Sequence, residues 1–297
     1  MLHNTHPTLP EFEYVLPQTL AEASEFLVRY PGEARPFLGG TDIFVRMRDG
    51  FITPKYLVDV KKLDGVNDLS FDPGTGMTLG AAVNMNRVIA SPDVQAHYSL
   101  LAEACRSVAS YQLRTRATVV GNICNASPAG DTIGACLVLG GVLHIQGIDG
   151  PRKESLEKFF LGPGKTALRL GDIVTAIHFP IPPKGCAGRY LKLGRNRLSD
   201  LSIVGVTAFG YPDAACPSGY RFRLALASVA PVPLVPKEVE IHLADNPITS
   251  EVIQQAAHLA SEASTPINDV RGSARYRKQM VEKLSARALT SVWQKLG

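Results

Sequence analysis

The five cysteines of this chain stand at positions 105, 124, 136, 186 and 216, and no two of them form a C-x-x-C pair. That absence argues against a zinc ribbon or a ferredoxin-type cluster. An odd number of scattered cysteines fits a reducing compartment. The N-terminus has no basic region leading into an apolar one, so secretion is not expected and the predicted location is cytoplasmic. No apolar run is long enough for a membrane span. There is also no Lys/Arg stripe interleaved with aromatics, and the net charge is only +4, so nucleic acid is not an expected partner. The basic run Arg271, Arg275, Arg277 and Lys278 reads as a solvated helix face. What remains is a chain of 297 residues, 45% hydrophobic and 20% charged, the composition of an ordinary soluble protein with one large domain or two.

Strands and helices alternate through the first half, an α/β pattern. Thr19 and Glu22 form a capping box for a helix ended by Pro31-Gly32, with Leu20, Ala23, Leu27 and Tyr30 on one face. Arg35 to Leu38 and Tyr56 to Val60 read as strands. Thr41 is placed to cap a helix carrying Ile43, Phe44 and Met47. Residues 67–83 read as a hairpin turning at Asp72 to Gly76. Ser91-Pro92 opens a helix expected to reach about Ala109. Residues 118–123 read as strand-like, Ala135 to Gly140 as helix, and Val142 to Gln146 and Ile173 to Phe179 as strands. Pro180 to Gly185 is the best linker. Strands near 188–194, 202–210 and 221–229 and helices over 250–264 and 274–296 describe an α+β module. Two glycine patterns are set aside. Gly74-x-Gly76-x-x-x-Gly80 has the wrong spacing for a dinucleotide fingerprint, and Gly164-Lys165-Thr166 lacks the P-loop glycine at 159, which is Phe.

Two segments carry the chemistry: Gly39-Gly40-Thr41-Asp42 and the run Val120 to Asp131. Glycines allow sharp turns and close approach to a ligand. Exposed N–H groups with nearby hydroxyls suit phosphate oxygens, and carboxylates accept from sugar hydroxyls. The pair suggests one long ligand with a pyrophosphate in its middle. Each feature also has a plainer reading. Gly39-Gly40 is equally a strand-to-helix turn, Asp42 and Asp131 are acids at helix N-termini, Asn122 is a turn residue, and Lys192 is a surface lysine on a strand. Cys124 has no neighbouring His in sequence, and Cys105 falls on a buried stripe.

In those segments and three others, the chain resembles the FAD-binding subunit of the molybdenum hydroxylases, the group that includes xanthine dehydrogenase and nicotinate dehydrogenase. The matching segments are Gly39 to Asp42, Thr118 to Asp131, Phe159 to Thr166 with Asp172-Ile173-Val174, Tyr190 to Arg195 with Asp200-Leu-Ser202, and Asp269 to Arg277. The resemblance implies a two-subdomain FAD-binding domain of the vanillyl-alcohol-oxidase type over residues 1–180. A smaller α+β domain follows over 186–297. Phe37, Leu38, Gly39, Gly40, Thr41 and Asp42 would wrap the FAD pyrophosphate, with Thr118, Gly121 and Asn122 on its other side. Asn125, Ser127 and Asp131 would reach ribityl and phosphate oxygens, and Ile173 and Val174 would line the adenine or flavin edge. Lys192 would sit near the isoalloxazine, where a cation stabilises the anionic reduced flavin. In relatives that use NAD, the segment matching Leu193 to Ser199 lies on the acceptor side.

There are departures from the family pattern. Ala117 and Val120 stand where the family usually has glycine, and Val120 brings bulk and a stiffer backbone. The cysteine-bearing [4Fe–4S] loop of some relatives is missing. Neither loop holds a His, so FAD is expected to bind noncovalently. No metal ligands and no acid–base pair for hydroxylation are apparent. The resemblance therefore implies an electron-transfer subunit of a hetero-oligomer: a separate molybdopterin subunit oxidises the substrate, a separate [2Fe–2S] subunit relays electrons, and FAD here passes them to an external acceptor. A self-contained flavin oxidoreductase and a scaffold without flavin are the alternatives.

Overall fold

The computed structural model of the chain describes residues 8–196 and 199–297. The Thr19 hydroxyl accepts from the Glu22 N–H at 3.1 Å, and the Glu22 carboxylate reaches back to the Gln18 N–H at 2.7 Å. This cap opens α1 (Leu20–Arg29), which turns Ala23 and Leu27 inward. The helix packs on a parallel sheet of β1 (Glu13–Val15), β2 (Ala34–Phe37) and β3 (Tyr56–Asp59), with β3 in the middle. After β2 comes α2 (Ile43–Arg48), whose N-cap position is Asp42 rather than the expected Thr41, and it carries no side-chain cap. A left-handed turn at Gly40, φ +77°, delays entry into the helix by one residue.

The second subdomain is an antiparallel sheet in the order β4-β5-β10-β6-β7. Its hairpins are β4 (Leu69–Asp72) with β5 (Gly76–Gly80) and β6 (Val142–Gly147) with β7 (Gly150–Ser155). Between them run α3 (Met85–Ala90), α4 (Pro92–His97), α5 (Ser99–Arg106), α6 (Tyr111–Arg114), α7 (Val119–Asn125) and α8 (Ile133–Val138). A small ribbon, β8 (Phe160–Gly162) and β9 (Lys165–Thr166), precedes β10 (Ile173–Phe179), which enters the centre of the sheet between β5 and β6. The helices and this sheet enclose the largest apolar core.

Two expectations need correction here. The helix predicted from Pro92 to Ala109 is two helices, broken at Tyr98. There φ is −129°, and the buried hydroxyl donates to the carbonyls of Phe179 at 3.3 Å and Pro180 at 3.1 Å. Residues 118–123 are not a strand but the N-cap and first turns of α7.

The C-terminal domain is an antiparallel sheet of β11 (Ala187–Leu193), β12 (Val204–Pro212) and β13 (Tyr220–Ala227) with α9 (Lys237–Asp245), α10 (Ser250–Ala263) and α11 (Ala274–Leu296). Period-2 alternation sends Val204, Val206 and Ala208 into the core shared with these helices, while Phe209, Tyr190 and Ala225 join the core of the first domain. The sheet is thus buried on both faces and binds the two domains together. Two residues of the basic run are misread from sequence: Arg271 lies before α11, half-buried and paired with Asp269 at 2.7 Å, and Arg277 is 1% exposed, the largest fully buried side chain among the described residues, rather than part of a solvated face.

Candidate functional site

The first loop leaves β2 at Phe37, whose carbonyl accepts from the Val60 N–H at 3.2 Å. Its ring is buried and stacks beneath the Lys61 ammonium, 4.1 Å from the ring centroid. The next residues depend on glycine. A Cβ on Gly39 would lie 2.2 Å from the Arg116 carbonyl oxygen, and one on Gly40 would lie 2.9 Å from the Phe37 ring. Gly39 therefore lets the first loop press directly on the backbone that leads into α7. Thr41 is half-buried and Asp42 is exposed at the start of α2.

The second segment begins with a cap. The Thr118 hydroxyl accepts from the Gly121 N–H at 2.9 Å. Val119, Val120 and Ile123 face the main core. The two departures from the family pattern, Ala117 and Val120, are 6% and 1% exposed, so their extra atoms are taken up by the core. Asn122 ties the two halves of the segment, its Oδ1 accepting from the Thr132 hydroxyl at 2.7 Å. Asn125 ends α7, Ala126 takes the left-handed conformation at φ 48°, and the Ser127 hydroxyl accepts from the Ala129 N–H at 3.3 Å.

Between the parallel-sheet subdomain and the antiparallel one lies a crevice of about 180 Å³. It brings together Leu38, Gly39 and Thr118 with Lys61, Asn67, Ala82, Asn84, Thr115 and Arg116. The latter group was not singled out from the sequence. Two signals could have found part of it: Lys61 follows the strand parallel to β2, so both strand ends open on one side, and Thr115 and Arg116 directly precede the Thr118 motif. Lys61 is held at 2.8 Å from the Asp59 carboxylate and donates to the Tyr14 hydroxyl at 2.9 Å. Partial burial pushes the Lys61 ammonium below the usual lysine range against the opposing pull of Asp59. Burial, with the bond to Asp59, pushes Tyr14 up to about 12.

Asp131 and Lys192 meet elsewhere, at the boundary with the C-terminal domain. The buried Asp131 carboxylate accepts from Lys192 at 2.7 Å and from the Tyr190 hydroxyl at 2.7 Å. Lys192 also donates to the Ser107 carbonyl at 3.2 Å. Burial raises the Asp131 carboxyl above its ordinary value, and Lys192 only partly offsets this. Ile173 and Val174 are buried in β10 and pack into different cores. Of the acceptor-side loop, Arg197 and Leu198 lie outside the described residues. Burial pushes the Cys124 thiol up to about 12, away from thiolate chemistry. Among the described residues, no group of three or more His, Cys, Asp or Glu side chains is placed to hold a metal ion, and no helix is long and apolar enough to cross a membrane.

A fold of two clasped subdomains followed by this sheet-and-helix domain has close counterparts. Residues 10–182 match the FAD binding domain in molybdopterin dehydrogenase, and residues 189–292 match the CO dehydrogenase flavoprotein C-terminal domain. The carbon monoxide dehydrogenase medium chain of Hydrogenophaga pseudoflava is 30% identical over 96% of this chain and 98% of its own. A putative xanthine dehydrogenase FAD-binding subunit of Escherichia coli K12 is 27% identical over 92% of each. A solved structure of carbon monoxide dehydrogenase from H. pseudoflava, lacking the Mo-pyranopterin moiety, superposes with a TM-score of 0.92 at 29% identity, covering 97% of this chain and 99% of that one. This chain belongs to the FAD-binding subunits of the molybdenum hydroxylase family, and it is an oxidoreductase subunit. Its residues fit the cofactor: Gly39 lets the first loop close on the Arg116 backbone at one edge of the crevice, and Lys61 and Arg116 line that crevice, where they can balance a diphosphate.

Proposed function

We propose that this chain is the electron-transfer subunit of a molybdenum hydroxylase, taking electrons from a [2Fe–2S] partner subunit and delivering them to an external acceptor. The oxidative chemistry belongs to a molybdopterin-binding large subunit. Bound FAD supplies the exchange between one-electron and two-electron carriers. The chain's own residues position it. Phe37 to Asp42 and Thr118, Gly121 and Asn122 hold the diphosphate from two sides, and Lys61 and Arg116 supply positive charge beside it. Asn125 and Ser127 take the ribityl and remaining oxygens; Asp131, its carboxylate occupied by Lys192 and Tyr190, acts through Lys192, and Ile173 and Val174 support the site from within β10. Lys192, oriented by Asp131, sits toward the isoalloxazine, where its cation favours negative charge on the reduced ring.

The observation that carries this reading is the contact of Gly39 on the Arg116 backbone, which closes a crevice with two cations between the subdomains. The test is direct. The purified chain is expected to be yellow, to release FAD on denaturation, and to co-purify from its native source with a molybdenum subunit. A colourless chain that takes up no added FAD would overturn the cofactor assignment. A yellow chain that oxidises a substrate unaided would overturn the subunit role. Stopped-flow reoxidation of the reduced chain by NAD, quinone, ferredoxin and oxygen identifies the acceptor.

A further inference from the structure

We infer that Arg277, at the start of α11 in the C-terminal domain, is a positioning residue for the second flavin loop. The inference rests on the reading of residues 118–131 as part of the FAD site. Between Ala126 and Asp131 the loop turns on its own bond from the Gly130 N–H to the Ser127 carbonyl at 3.0 Å, but the carbonyls of Pro128 and Ala129 are satisfied by the C-terminal domain. The Pro128 carbonyl accepts from the Ser228 N–H at 2.7 Å, and the Ala129 carbonyl accepts from the Ser202 hydroxyl at 3.3 Å. The two serines are themselves joined, with hydroxyl oxygens 2.8 Å apart and the Ser228 hydroxyl 2.9 Å from the Ser202 carbonyl.

Ser202 and Ser228 flank the facing ends of β12 and β13, and a single guanidinium fixes both. Arg277 Nη1 donates to the Ile203 carbonyl at 2.7 Å and to the Ser228 carbonyl at 3.0 Å, while Nη2 donates to Asp269 Oδ1 at 2.7 Å. Ser228 has φ +66°, a left-handed conformation that a residue with a Cβ keeps only when its surroundings demand it. The carbonyl bond from Arg277 is one such demand, and the conformation aims the Ser228 N–H at Pro128. Partial burial would push the Asp269 carboxyl up, but bonds from Arg271 and Arg277 hold it well below the usual range. The clasp is therefore ionised across the physiological range. A lysine at 277 carries the charge as a point and lacks the planar fork that reaches two carbonyls and a carboxylate at once.

The experiment uses the full chain freed of flavin and titrated with FAD. Arg277→Lys is expected to raise the FAD Kd about tenfold, the scale of one or two lost charge-assisted hydrogen bonds. Val281→Ala, in the same helix and packed in the core of Ile203 and Val229 but with no hydrogen bond to the segments that hold the loop, is the control; it is expected to lower Tm and leave Kd within about twofold. Ser202→Ala removes the bond to the Ala129 carbonyl and the link to the Ser228 hydroxyl while leaving the carbonyls that Arg277 holds, and it carries the test of this path to the loop if Arg277→Lys does not fold. Its expected Kd increase is about threefold, with a smaller loss of Tm than Arg277→Lys. Combined with Arg277→Lys, it should add less than its separate effect, because both act through the same loop. An Arg277→Lys chain that loses Tm but binds FAD as tightly as the wild type overturns the positioning role. So does a Val281→Ala chain that loses FAD equally. A wild-type chain that binds no FAD overturns the flavin reading itself.

Discussion

At Gly39 the reason for the residue is a distance. Any Cβ would sit 2.2 Å from the Arg116 carbonyl, so Gly39→Ala must push the two subdomains apart along the edge of the crevice. Forced overpacking of this kind costs about 1–3 kcal/mol. If that cost falls on the bound state, FAD affinity drops by about fivefold to 150-fold, as read by fluorescence titration. The sequence marks Gly39 because a glycine pair after a strand is a local signal. Lys61 is not legible in the same way. Its place beside Leu38 and Gly39 depends on β2 and β3 being parallel neighbours, and no window around residue 61 contains that fact. Asp131 shows a second limit. Its type suggested a ligand to oxygens, yet the partners it holds, Tyr190 and Lys192, come from another domain. The buried pair also makes a prediction about stability. Lys192→Met leaves the Asp131 carboxylate buried without its cation and is expected to cost about 3 kcal/mol in urea unfolding at neutral pH. Asp131→Asn with Lys192→Met should recover most of that loss. The pH dependence has a definite sign. The folded-state pKa of Asp131 is raised by burial, and losing Lys192 raises it further. The folded variant therefore holds its proton more tightly than the unfolded chain, and its deficit shrinks as pH falls through the folded-state pKa.

The element that departs most from expectation is α7. Val119, Val120 and Ile123 form a short apolar group that fits a strand or one face of a helix, and a short apolar run does not separate the two. Thr118 decides the matter through its cap on the Gly121 N–H, a bond that makes sense only once the helix exists. The helical answer also changes the meaning of Val120. As part of a strand beside a phosphate it would crowd the ligand; in α7 it is 1% exposed in the main core. Val120→Gly, which installs the residue usual in the family, is therefore expected to destabilise the flavin-free chain by about 2–3 kcal/mol, through the lost side chain and the added helix entropy. It should bring no gain in FAD affinity, and thermal melts alongside FAD titration measure the two effects separately. Tighter FAD binding by this variant would show that Val120 does obstruct the cofactor.

On the scale of the whole molecule, the α/β-then-α+β order was legible because it depends on local periodicity, linker prolines and caps. The insertion of β10 between β5 and β6 and the sandwiching of β12 between two cores were not, since both join residues far apart in sequence. The crevice belongs to this second class. It lies between a parallel-sheet core and an antiparallel-sheet core that are separately packed, so a ligand seated there adds a link that neither core supplies alone. FAD at a hundred times its Kd is expected to raise the unfolding free energy by about 2.7 kcal/mol, visible as a concentration-dependent rise in Tm. Hydrogen exchange gives the spatial test, because amides protected by a bridging ligand respond together. Slowing is expected at residues 38–44 and 116–123 in the same titration and with the same midpoint. Protection of only one segment would mean that FAD sits on one subdomain and that the closure between Gly39 and Arg116 is a packing contact alone.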